Sequence, residues 1–233
     1  VAVTAVVEPT SPALPEPPEL RERDEDGQRL GALLWRPGPG WRAVSSAVLG
    51  GGIGERAWVM NAQVAHGYTR TDPEAHLAAL ARRAGLDGPG VGLMTAAEVA
   101  RHGAARDGGV DAVATAGIDV RGWAAAPVAG VPGPQAPGTI NIVVTVPAPL
   151  TDAALVNAVA TATEAKVQAL LDAGLDCSGT PTDAVCVLAR TPRTGGLAEP
   201  FAGPRSLWGA RLARAVHAAV GAALPGPGVS RAR

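Results

Sequence analysis

The 233-residue chain carries 20 basic and 21 acidic residues, a net charge of −1, and 47% hydrophobic residues. That length supports a core needing neither disulfides nor metal, and the charge balance, with no basic stripe interleaved with aromatics, argues against a polyanion-binding protein. Its two cysteines, Cys177 and Cys186, are no disulfide framework and favour a reduced, cytoplasmic chain.

The opening VAVTAVVEPTSP lacks the positive region of a secretion signal. Residues 1–18, rich in Pro, Ala and Glu, read as a flexible lead-in. Two extended runs between Glu19 and Trp35 flank Asp26-Gly27, a hairpin turn signal. RPGPG at 36–40 breaks the pattern, and a buried strand through Val44–Leu49 then runs into Gly50-Gly51-Gly52. Residues 55–66 fit helix and strand equally poorly. Thr71-Asp72-Pro73-Glu74 is a helix start, with a capping residue, Pro at the first helical position and an acid in the first turn. That helix runs to about Ala84 and stops at Gly85.

VGLMT at 91–95 reads as a strand, Ala96–His102 as a short helix and DAVATAG at 111–117 as another strand. A Pro/Gly loop spans 125–138, a length associated with function or mobility. The run from Gly138 then gives a strand, a long helix from Asp152 to about Ala173 capped by Thr151, the loop SGTPTD at 178–183 and the strand AVCVLA. A second loop leads to a closing helix at 206–224, where Arg211, Arg214 and His217 argue against a membrane span. Residues 225–233 read as a flexible tail. Strands and helices mix without clean βαβ alternation, so the expected fold is α+β: layered mixed sheets with helices packed outside, in one domain over 19–224.

The long helix holds the only lysine; the other 19 basic residues are Arg. Lysine can lose its proton when desolvated and arginine in practice cannot. At about 100° per residue, Leu155, Val156, Val159, Ala160, Thr163, Val167, Leu170 and Leu171 form an apolar arc. Asn157, Thr161 and Gln168 lie opposite, with Lys166 inside one margin and Glu164 at the other. Lys166 either snorkels to water or lines a cleft, partly desolvated, under the loop that follows. In that loop Thr180, Thr182 and Asp183 offer polar groups at a strand mouth, and Asn141 enters a β-branched run where a buried amide needs partners. Asp183 can equally serve only to satisfy turn amides.

With these pieces in hand, the chain resembles a known family. SSAVLGGG (45–52), Asn61 with Val64, VGLMTA (91–96), TAG (115–117), GTIN (138–141), TEAK (163–166) and GTPTD (179–183) fall in the order seen in adenosylcobinamide amidohydrolases of the CbiZ type. The similarity spans roughly 20–222. It implies hydrolysis of the amide joining the corrinoid ring's side chain to its aminopropanol arm, giving adenosylcobyric acid. It also implies a small-molecule corrinoid partner, neither nucleic acid nor membrane, and no cofactor, the cobalt belonging to the substrate. Gly50 departs from the pattern SSAxxNGG.

Amide hydrolysis needs an attacking group, an oxyanion donor and an acid for the leaving amine. Ser45 or Ser46 can supply a hydroxyl nucleophile, Glu164 or Asp183 can activate water, and Lys166 or Asn61 can steady the oxyanion. The favoured combination is attack by water or by Ser46, assisted by Lys166 and Asp183. Ser45, Gly51, Gly52, Thr95, Thr139, Asn141, Thr180 and Thr182 are the candidates for binding substrate.

Competing signals are weaker. Gly52-Ile53-Gly54-Glu55-Arg56-Ala57 matches the G-x-G-x-x-A of a dinucleotide turn, which would suggest an oxidoreductase. His66, His76, His102 and His217 lack ligand spacing, so no metal site is expected. A non-catalytic corrinoid binder would use Trp58, Trp123 and Trp208 as walls, although such residues equally build cores.

Overall fold

The computed structural model describes residues 15–127, 138–192 and 194–225. Most of the expected lead-in (1–14), most of the Pro/Gly loop (128–137) and nearly all of the tail (226–233) lie outside the described residues.

The strands are β1 (Glu19–Glu25), β2 (Gln28–Trp35), β3 (Trp41–Ser45), β4 (Gly52–Glu55), β5 (Trp58–Gln63), β6 (Gly90–Thr95), β7 (Gly103–Asp107), β8 (Val110–Gly117), β9 (Thr139–Pro149) and β10 (Ala184–Arg190). The helices are α1 (Pro73–Arg83), α2 (Asp152–Asp172) and α3 (Leu207–Ala223). A four-stranded sheet has the order β1-β2-β5-β6, and a six-stranded sheet the order β4-β3-β10-β9-β8-β7. Both sheets are mixed, since β5 runs parallel to β6 and β9 to β10 while the other neighbours are antiparallel.

Side-chain alternation stacks four layers. Ala32, Leu34, Met60 and Ala62 of the four-stranded sheet pack on Leu77, Leu80 and Ala81 of α1. Its other face gives Leu33, Trp35, Val59, Val91 and Leu93 to a core shared with Trp41, Ala43, Val113, Val143, Cys186 and Leu188 of the six-stranded sheet. The far face of that sheet presents Ile140, Ile142, Val144, Val146, Val185 and Val187 to α2 and α3. Burial on both faces explains why TINIVVTV in β9 reads as a continuous apolar run. The α+β layered expectation is met, with helices on both outer faces.

Asp26 and Gly27 take φ of 49° and 74°, the two positive values of a I′ hairpin turn, so β1 and β2 pair as expected. Residues 58–63, open on sequence, are a strand because Val59 and Asn61 face the inter-sheet core while Trp58, Met60 and Ala62 face α1.

Several expectations are corrected. The short helix at 96–102 is only a 3₁₀ turn, Val99–Arg101. The sequence reading lacked β4 and β7, two short, largely exposed strands with little apolar pattern. Because 52–55 is β4, paired to β3, the G-x-G-x-x-A run is no strand-to-helix turn and offers no dinucleotide site. Asp72 precedes α1, but its carboxylate bonds Arg70 rather than capping the helix. On α2 the buried stripe is Ala154, Leu155, Ala158, Thr161, Ala162, Ala165, Lys166, Ala169 and Leu170, while Val156 and Leu171 face out. Small alanines let the helix approach the sheet closely, and Thr161, expected outside, is buried with its hydroxyl donating to Ala202 O at 2.8 Å.

Candidate active site

The inter-sheet core is apolar in its middle and polar at one end, where β5 and β6 finish and β9 and β10 begin. There a cleft of about 540 Å³ opens between the sheets. The β3 end lends Ser46, Ala47 and Val48, β6 lends Gly92 to Thr95, and the starts of β9 and β10 lend Thr139, Asn141, Thr182 and Asp183.

Asn141 pins the two sheets together. Its Nδ2 donates to Asn61 Oδ1 at 2.8 Å and to Met94 O at 2.9 Å, while Asn61 Nδ2 donates to Thr115 Oγ1 at 2.9 Å. Both donors of Asn141 are thereby committed, so its carboxamide orientation is fixed. Its Oδ1 is buried and has no hydrogen-bond partner among the described residues. A buried acceptor left unpaired costs about 1–3 kcal/mol, so the site offers a strong place for a donor. Asn61 itself is a buried second link that holds Asn141.

Asp183 anchors the SGTPTD loop. Its Oδ1 accepts Ile140 N at 2.8 Å and the Thr180 hydroxyl, and its Oδ2 accepts Lys166 Nζ at 2.5 Å and Thr180 N at 3.2 Å. Lys166 reaches it from the helix side of the sheet and is 7% exposed, so the ammonium does not snorkel to water. Gly179, at φ +154°, is required here because a Cβ would run into the Asp183 carboxylate and lie 2.6 Å from Lys166 Nζ. Thr182 donates to Gly138 O at 2.9 Å, which leaves Thr139 as donor in the 2.5 Å contact between the two hydroxyls. Thr180 is spent on Asp183.

Ser46 is exposed at the mouth, and its Oγ accepts Val185 N at 3.1 Å. Ser45 points the other way: it is buried, donates to Val185 O and accepts Ala47 N. Cys186 lies beside it, and burial pushes that thiol up to about 12, so it is inert. Thr95 lines the cleft with its hydroxyl accepting Ala97 N at 3.0 Å. Gly51 and Gly52 are exposed on the β3–β4 turn and β4. Gly50 has φ +69° with its Cβ direction against Gly90 O, and Arg56 bonds its carbonyl, so Gly at this position suits the tight approach of the turn to β6.

Some candidates fall elsewhere. Glu164 is exposed on α2, on the helix side of the six-stranded sheet. Trp58 is buried under α1, Trp208 packs beside the α2–α3 core under Arg211, and none of the three candidate tryptophans lines the cleft. Sequence reasoning missed His66 and Tyr68, which do line it from the loop after β5. No motif surrounds them, and the segment's ambiguous periodicity hid where it ends.

All seven sequence motifs thus meet at or directly behind one cleft, contributed by both sheets and by α2. The CbiZ family, described as adenosylcobinamide amidohydrolase, matches residues 17–226. The chain is 32% identical over 190 residues to an adenosylcobinamide amidohydrolase of Methanosarcina mazei, a stretch covering 79% of this chain and 90% of that protein. The chain therefore belongs to the CbiZ family of adenosylcobinamide amidohydrolases and is an amide-bond hydrolase.

Proposed function

We propose that this cleft cleaves the amide between the corrinoid side chain and the aminopropanol arm of adenosylcobinamide, releasing adenosylcobyric acid. The observation that carries the reading is the convergence of the seven family motifs on a single cleft between the sheets. Its volume, about 540 Å³, is that of an ordinary small-molecule site. A corrinoid with its adenosyl ligand is larger, so the arm and ring edge enter while the macrocycle lies across the mouth. Val48, apolar and 52% exposed in the cleft wall, suits that contact.

Water is the attacking group in this reading. The fixed Asn141 oxygen, with no partner among the described residues, accepts a hydrogen bond from the water or from the amide N–H and so orients the reacting pair. Ser46 has no carboxylate or imidazole bonded to it among the described residues, which disfavours it as nucleophile. Its hydroxyl can donate a hydrogen bond to the amide carbonyl oxygen, and one well-placed oxyanion donor lowers a barrier by about 3–4 kcal/mol. Asp183 has both oxygens engaged by four donors, which leaves little room for an attacking water to bond it. With Lys166 it serves as a positioning pair that sets Thr182 and the start of β9.

Incubation with adenosylcobinamide in heavy-oxygen water tests the proposal by mass analysis. The expected product carries one label in the new carboxylate of adenosylcobyric acid. Tight binding with unchanged ligand would make the protein a corrinoid binder instead.

A further inference from the structure

Tyr68, the single tyrosine of the sequence, enters the cleft wall from the loop between β5 and α1. Its oxygen lies 3.1 Å from His76 Nδ1, and the two rings stack 9° from parallel. His76 stands in the first turn of α1, 2% exposed. Its Nε2 is 2.6 Å from Glu25 Oε1 at the end of β1, a close contact that is not aligned as a hydrogen bond. Arg23 fixes that carboxylate, donating to Glu25 Oε2 at 2.8 Å and to Gln63 O at 2.6 Å. Tyr68 of the cleft wall, the His76 imidazole and the Glu25 carboxylate therefore follow one another in contact, reached from the four-stranded sheet and α1 rather than from the Lys166–Asp183 pair. Packing alone calls for neither a carboxylate at one ring nitrogen nor a phenol hydroxyl, from a residue of the cleft wall, at the other.

We propose that Tyr68, His76 and Glu25 are the proton relay of the hydrolysis, with Tyr68 the catalytic residue and His76 and Glu25 positioning residues behind it. The inference rests on the amidohydrolase reading above. As the water oxygen bonds the amide carbon, one water O–H breaks and its proton passes to the Tyr68 oxygen. The Tyr68 proton passes to His76 Nδ1, giving an imidazolium beside Glu25. When the tetrahedral intermediate collapses and the C–N bond breaks, the proton returns by the same path to the leaving nitrogen, so a neutral amine departs and the enzyme is regenerated.

The charged groups around the relay are Arg23 and Glu25 of β1 and Arg70 and Asp72 of the loop entering α1. Burial holds the Tyr68 phenol above its usual range; Arg70 opposes this, while Asp72 and Glu25 add to it, so the hydroxyl carries its proton at rest. Burial pushes Glu25 up, but the Arg23 hydrogen bond and charge, with His76, outweigh it and keep the carboxylate ionised.

Because the chain has one tyrosine, growth on 3-fluorotyrosine alters position 68 alone. The fluorinated, more acidic phenol keeps its hydroxyl and should displace the kcat/KM–pH profile. Tyr68→Phe, which keeps the ring stack, should lose about 10²- to 10⁴-fold in kcat with KM nearly unchanged, and Glu25→Gln should flatten the acid limb. Thermal melts check folding, and should Tyr68→Phe fail to fold, the fluorotyrosine profile decides. An active enzyme indifferent to both changes overturns the relay alone. A wild type inert toward adenosylcobinamide overturns the amidohydrolase reading and the relay with it.

Discussion

Asp183 and Glu25 are two partly buried carboxylates flanking one cleft, and they are built in opposite ways. Asp183 receives four hydrogen bonds, from an ammonium, a hydroxyl and two backbone amides, all within its own loop, the start of β9 and α2. Glu25 is held on one oxygen by Arg23 and faces, on the other, an imidazole whose second nitrogen touches a phenol in the cleft wall. A carboxylate whose lone pairs are all engaged fixes geometry; one that backs a histidine can bias where a proton goes. The sequence drew attention to the first through the rarity of lysine, and the second was hidden in three separate segments.

The largest way to break this contrast is Lys166→Met. It strands the Asp183 carboxylate in a buried setting, and removing one partner of a buried pair costs about 3–5 kcal/mol. Denaturant unfolding should show that loss, with turnover down more than about tenfold, and the double change Lys166→Met with Asp183→Asn should recover part of the stability. A single change without effect on stability would mean that the pair holds nothing.

Asn61→Ala comes next. It removes the acceptor of Asn141 Nδ2 and the donor to Thr115, at about 1–3 kcal/mol for unsatisfied buried groups. Because Asn141 then loses its fixed orientation, kcat should fall more than KM rises. Equal stability to the wild type by thermal melt would argue that the sheets are not pinned there.

The smallest effect is pH-linked. The folded-state value of Glu25 lies below its ordinary 4.5, so its stabilisation is present above that value and is lost as pH falls through the folded one. Wild type should therefore exceed Glu25→Gln in Tm at neutral pH, with the gap closing below about pH 4.5. A gap constant down through that range would remove the linkage and weaken the distinction between the two carboxylates.

Local signals were legible because they are short-range. Asp26-Gly27 specified its turn, Thr151 accepts Ala154 N as a helix cap should, and the β-branched run of β9 marked a strand buried on both faces. The α2 stripe was misread by position because large apolar residues were weighted over alanine, although the layer spacing favours the smaller side chain. The exposed β4 and β7 carry almost no pattern, since edge strands are specified by their neighbours' hydrogen bonds.

By itself the amino-acid sequence determined the three helices and most of the strands, the α+β class and, through the order of its motifs, the family. The tertiary structure alone decided that Asn61, Thr115 and Asn141 clasp across two sheets, that Lys166 meets Asp183 beneath a glycine, and that Tyr68 reaches Glu25 through His76. Caps, turns and periodicity act between residues a few positions apart. These contacts join residues as far as 80 positions apart, brought together by the stacking of two sheets whose pairing no local preference encodes.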